Sequence, residues 1–146
     1  MPPYVAVVGP GDASAKQEAT AEEVGEALAA RGAVVVTGGL GGVMAAASRG
    51  ARQAGGTTLG LLPGDDRSEA NPWVSVAVPT GLGELRNGLV VRAADVLVAV
   101  GGGLGTLSEI ALALRLGRRV VGVHTWELPG VEPVADAQSA IRVVLS

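Results

Sequence analysis

Apolar positions along this chain fall into two alternating patterns. Short valine-rich runs at residues 4–8, 33–36, 57–61, 74–78, 95–100 and 120–123 read as strands. Several are apolar at every position, as strands covered on both faces must be. Between them, apolar residues recur every three or four positions at 13–31, 41–54, 82–93, 107–117 and 133–145, and these stretches read as helices. The last places Val134, Ala137, Ile141 and Val144 on one face. The second presents Val43, Ala46, Ala47, Gly50 and Ala51, small enough to let a helix lie close on a sheet.

Strand and helix in strict alternation, joined by right-handed crossovers, predict an α/β, Rossmann-like, doubly wound fold with a mainly parallel sheet and helices on both faces. No linker-like composition interrupts the chain, so one domain over residues 1–146 is expected, with 63–72 as its longest irregular stretch and the candidate for a mobile surface loop. At 48% apolar residues the chain can bury a sizeable core. With no phenylalanine, that core must be built from valine, leucine, alanine and isoleucine. The absence of cysteine excludes disulfides, thiolate metal sites and a cysteine nucleophile. His124 is the only histidine, and one histidine makes no metal site, so no metal is expected. The adjacent acids Asp65 and Asp66 read as solvated loop residues. Net charge is −3 and no basic stripe is present, which argues against nucleic acid as a partner. No stretch has the length or apolarity of a membrane span or leader, so a cytoplasmic location and no membrane partner are expected.

In sheets of this kind ligands bind beyond the carboxyl ends of the strands, where strand order reverses. Three glycine-rich turns fall at such ends: Gly9-Pro10-Gly11-Asp12-Ala13-Ser14, Thr37-Gly38-Gly39-Leu40-Gly41-Gly42, and Gly101-Gly102-Gly103-Leu104-Gly105-Thr106. The third leads from an apolar strand into a helix, where unpaired N–H groups and the helix dipole favour a phosphate. The second strand ends Val35-Val36-Thr37 without the acid that a dinucleotide's ribose requires, and Lys16 follows Ala15 rather than a Walker glycine. A mononucleotide-sized or similar phosphorylated ligand remains.

Two side chains stand out beside these turns. Glu109 falls in the first turn of the helix after the third loop. Thr106-Leu107-Ser108-Glu109 also reads as a capping box, which explains both residues with no ligand. Arg86 has Leu82, Gly83, Leu89 and Val90 at three and four positions along its helix, none of them acidic, and lies beside an apolar face of Leu82, Leu85 and Leu89. Its forked donors suit a phosphate or sugar hydroxyls. Asn87 can donate to the same ligand or satisfy backbone. Ser14 reads as the cap of the first helix and, with Gly9 and Thr37, as a further contact at the rim. Met44 reads as core.

The ordered set Gly38-Gly39-Leu40-Gly41-Gly42-Val43-Met44, Arg86-Asn87 and Gly102-Gly103-Leu104-Gly105-Thr106-Leu107-Ser108-Glu109 resembles the Lonely Guy (LOG) family, long labelled "lysine decarboxylase". The resemblance runs from Tyr4 to about His124 and is strongest to the branch of small bacterial proteins and molybdenum-cofactor carrier proteins. It implies a Rossmann-like homodimer that cleaves the N-glycosidic bond of a nucleoside 5′-monophosphate without a cofactor. Arg86 and Glu109 would be the catalytic pair. Gly38, Gly39, Gly41, Gly42, Asn87, Gly101, Gly102, Gly103, Gly105 and Thr106 would hold the nucleotide and its phosphate. Family enzymes usually carry proline where Gly101 stands and lysine where Asn87 stands. Both departures point toward the alternative, a non-catalytic carrier or sensor of a phosphorylated ligand such as molybdenum cofactor.

Overall fold

In the computed structural model, which describes residues 1–145, the six valine-rich runs become strands and a seventh strand is added at the sheet edge. They are β1 (Tyr4–Val8), β2 (Val34–Thr37), β3 (Thr58–Leu62), β4 (Val76–Pro79), β5 (Val96–Val100), β6 (Arg119–Val123) and β7 (Val131–Val134). The helices are α1 (Ala15–Ala30), α2 (Val43–Gln53), α3 (Asn87–Ala93), α4 (Leu104–Arg115) and α5 (Ala137–Val144). Every strand pair is parallel, in the order β4-β3-β2-β1-β5-β6-β7, so the fold is α/β and Rossmann-like.

The chain steps outward from β1 to β4, then returns through α3 to β5 on the far side of β1. Right-handed crossovers in opposite directions put helices on opposite faces. One apolar core accordingly joins β1, β2, β5 and β6 to α1, α2 and α5, and a second joins the other face of the sheet to α3 and α4. The order reverses between β1 and β5, which opens a crevice at their carboxyl ends.

Three boundaries differ from the pattern reading, and one loop is fixed more firmly than its composition suggests. An edge strand, β7, takes Pro133 and Val134, which were expected to open the last helix. Asp136 starts that helix later by accepting a hydrogen bond from the Ser139 amide at 2.9 Å, and Pro133 is tolerated because the strand lies at the edge. The helix expected over 82–93 divides into a 3-10 turn, Gly83–Arg86, and α3, leaving Leu82, Leu85 and Leu89 exposed rather than packed. The third glycine loop is shorter than expected, since α4 begins at Leu104. The loop over 63–72 is tied down: the Asn71 amide nitrogen Nδ2 donates to the carbonyls of Gly39 and Leu40, and its backbone N–H donates to Gly39.

Helices α1 and α2 meet through two glycines. A Cβ at Gly25 would lie 2.0 Å from the Ala47 carbonyl oxygen, and one at Gly50 would lie 2.1 Å from that of Glu22. Methyl groups there must push the helices apart. Gly25→Ala and Gly50→Ala are each expected to destabilise the fold by about 1–3 kcal/mol in urea unfolding. Unchanged stability would mean that this contact is slack.

Candidate functional site

A cleft of about 320 Å³ opens at the carboxyl ends of the central strands, walled by Gly9, Pro10 and Gly11 from the first turn, Gly38 and Met44 from the second, and Gly103 to Thr106 from the third. Arg86, Asn87 and Glu109 complete it. The sheet reversal and three tight turns thus bring together residues far apart in sequence.

The floor of the cleft is the start of α4. Gly103 is its N-cap, with extended backbone and no capping side chain. The Leu107 N–H donates to the Gly103 carbonyl at 2.9 Å, which leaves the amides of Leu104, Gly105 and Thr106 as the unpaired first-turn donors. Thr106 is the third helical residue here, not the cap, so the Thr106–Glu109 capping box does not form. Gly101 and Gly102 stand outside the cleft wall. The Gly101 N–H is spent on the Val123 carbonyl at 3.1 Å, and Gly102 lies against the indole of Trp126.

Arg86 enters from the opposite wall. Its Nε donates to the Leu61 carbonyl at 2.9 Å and its Nη1 donates to Asn87 Oδ1. These bonds fix the guanidinium plane, and Gly38 makes room for it, since a Cβ there would lie 2.7 Å from Nη2. Asn87 is buried and so acts partly as a brace for Arg86. The remaining turn residues serve the frame. Thr37 is fully buried and its hydroxyl accepts from the Gly39 N–H at 3.0 Å. Gly41 lies close to Gly11, and Gly42 presses on the Pro10 carbonyl. Ser14 caps α1 in a reciprocal box with Gln17 and borders a separate cavity near Lys16 and His124.

Glu109 is 8% exposed, on the first turns of α4 and facing the cleft. Burial pushes its carboxyl up to about 7, against the opposing pull of the Arg86 charge. Burial likewise lowers Arg86, and Glu109 partly restores it. The pair therefore communicates across the cleft without a closed ion pair. Near neutrality the carboxyl is a donor and an acceptor in comparable amounts. Among the described residues no cluster of histidine or acidic side chains could hold a metal ion, and no helix is long and apolar enough to cross a membrane.

Sequence reasoning did not select Pro10 or Leu104. Pro10 and Leu104 lie inside turns that it did single out, and Met44, expected in the core, lines the cleft. The sequence leaves Asn71-Pro72-Trp73 open between closing over a ligand and plugging the loop against the domain, and Asn71 does the second through the Gly39 and Leu40 carbonyls.

Comparison with known proteins follows the same geometry. The model of the SLOG cluster4 family matches residues 2–144. A molybdenum cofactor binding protein from Rippkaea orientalis superposes with a TM-score of 0.95 at 34% identity, covering 99% of this chain and 96% of that one. The Moco carrier protein of Chlamydomonas reinhardtii gives 0.91 at 38% identity, covering 99% and 96%. An uncharacterized protein of Archaeoglobus fulgidus is 40% identical over 119 residues, 82% of this chain and 78% of that protein.

The raised Glu109 carboxyl has a consequence for stability. Its displacement from 4.5 to about 7 means that the fold prefers the protonated form. The associated stability is fully present below 4.5 and is lost as pH rises through about 7, a difference of about 3 kcal/mol. Glu109→Gln is expected to match the native chain at acidic pH and to exceed it by up to that amount at pH 8 in urea unfolding. A constant difference at both pH values would contradict the burial of this carboxyl.

Proposed function

The chain belongs to the SLOG cluster4 family, and from that premise we propose that it binds and carries a small ligand bearing a phosphate monoester, with molybdenum cofactor as the ligand class. The observation that carries this reading is the uncapped start of α4, whose free amides at Leu104, Gly105 and Thr106 open on a cleft faced by Arg86. The phosphate sits on those amides, where the helix dipole and convergent donors favour an anion. Arg86, already braced by Leu61 and Asn87, turns its free donors to the same group. Glu109 takes up a proton as the anion enters, so that it donates a hydrogen bond instead of repelling the ligand. The likeness to the Rippkaea and Chlamydomonas proteins over nearly the whole chain supports this ligand class. For the expected homodimer, exposed apolar side chains are available at Leu82, Leu85 and Leu89, and at Leu104 on the cleft wall.

Gly105 provides the test, because a side chain there meets nothing within 4 Å. Gly105→Asp fits the fold and sets a carboxylate against the bound anion. Purified from a host that makes molybdenum cofactor, the native chain is expected to carry a pterin seen by fluorescence after oxidation. Gly105→Asp is expected to retain at least tenfold less at an unchanged melting temperature. Equal retention, or no pterin on the native chain, overturns the carrier reading.

A second reading is supported by the Arg86–Glu109 pair itself. A half-ionised buried carboxylate facing an arginine suits cleavage of a nucleoside 5′-monophosphate, with the arginine on the sugar phosphate and the carboxylate stabilising positive charge at the sugar carbon while water attacks it. The C–N bond breaks as the base leaves with the bonding electron pair, the water forms the new C–O bond, and the proton that the water loses passes to the departing base. Incubation with AMP is expected under this reading to release adenine, with Glu109→Gln slower by about a hundredfold or more. No release, or equal release by the variant, eliminates the hydrolase.

A further inference from the structure

The cradle has a neighbour that neither reading uses. Beyond the end of β6 the chain folds back through residues 124–130 before entering β7, and this segment walls a cavity of about 470 Å³ with Gly122, Val131, Pro133 and Val134. Trp126 stands between that cavity and the cleft. Its Nε1–H donates to the Gly103 carbonyl at 3.1 Å, so the indole is fixed to the residue that caps α4. The five-membered part of the indole lies over Gly102, where any Cβ would meet Nε1 at 3.3 Å. Trp126 as a residue nevertheless stays 39% exposed. A large aromatic side chain held by a hydrogen bond and a glycine, yet left uncovered, is a ready stacking surface. The cavity also contains polar groups suited to a heterocycle. Glu127 lies on its wall, able to accept from ring N–H or amino groups, and Thr125 Oγ1 is buried there with no hydrogen-bond partner.

We propose that Trp126 is the platform for the flat heterocycle of the bound ligand, a purine or pterin ring, when its phosphate occupies the Leu104–Thr106 amides. This rests on the phosphate-binding reading above and adds where the ring lies and what selects it. The Gly103 carbonyl links the two halves of the site: the same residue caps the phosphate-binding helix and anchors the indole. Ring-bearing ligands therefore gain stacking that a bare sugar phosphate lacks.

The test compares ligands with and without a ring. Trp73, the other tryptophan, lies elsewhere with its ring 5.2 Å from the Arg49 guanidinium, so Trp73→Phe leaves Trp126 as the sole indole reporter. AMP and 6-hydroxymethylpterin phosphate serve as ring-bearing probes, and ribose 5-phosphate as the ringless one. At least one ring-bearing probe is expected to quench Trp126 fluorescence and to bind about tenfold or more tighter than ribose 5-phosphate. By calorimetry, Trp126→Ala is expected to bring its affinity down to that of ribose 5-phosphate while changing ribose 5-phosphate binding less than about twofold, and Trp126→Phe to keep most of the difference. If Trp126→Ala and Trp126→Phe weaken all probes alike, Trp126 is only a strut for the Gly103 loop and the proposal fails. If ribose 5-phosphate binds and neither ring adds affinity, the platform is refuted while the phosphate site stands. If no probe binds, the phosphate site fails and takes the platform with it.

Discussion

A helix that begins on glycine, with no side chain to satisfy its first amides, leaves donors directed into whatever space lies in front of it. In this protein that space exists because strand order reverses between β1 and β5, which separates the turns after those strands and prevents the chain from filling the gap. The start of α4 is therefore both unsatisfied and accessible. Residues that could have relieved it do not: Thr106 sits too far inside the helix to cap it, and Glu109 faces the cleft beside Arg86. Free donors and a braced guanidinium in one cleft are what the proposed anion site rests on, and unsatisfied donors cost the empty protein some stability.

That arrangement explains why the surrounding turns are built as they are. Thr37 and Ser14 have hydroxyls at the rim, yet each is consumed locally, one by the Gly39 amide and the other by the cap of α1. Asn71 holds the second turn from outside by three hydrogen bonds to its backbone. Gly38 has no side chain so that Arg86 can lie across it. The frame is satisfied within itself, and the first-turn amides of α4 are left open. A carrier needs a rigid receptacle of this kind, and so does an enzyme. The distinction between them lies in what Glu109 does once a ligand is present.

Much of the architecture was legible in the sequence because each strand is a dense valine run and each helix repeats at its own period. Two kinds of feature were not. Edge strand β7 lacks a core-like run, with Glu132 and Pro133 exposed, so pattern alone absorbed it into the next helix. The start of α4 was misplaced because Thr-x-x-Glu is a genuine capping signal, overridden here by Gly103 as the cap and Leu104, Gly105 and Thr106 as the first turn. For the site, the glycine turns and the Arg86–Glu109 pair could be selected by residue type and position. The bracing by Leu61, the clamp at Asn71 and the indole at Gly103 depend on contacts across tens of residues, which no local pattern encodes.

The central claim concerns three backbone amides, and they can be observed directly. With uniformly 15N-labelled protein, titration with inorganic phosphate at constant pH and ionic strength should move the amide resonances of Leu104, Gly105 and Thr106 most, saturably and together, with smaller shifts at Arg86. Shifts confined to other surfaces, or a non-saturating drift spread over the whole chain, would contradict an anion site at the start of α4.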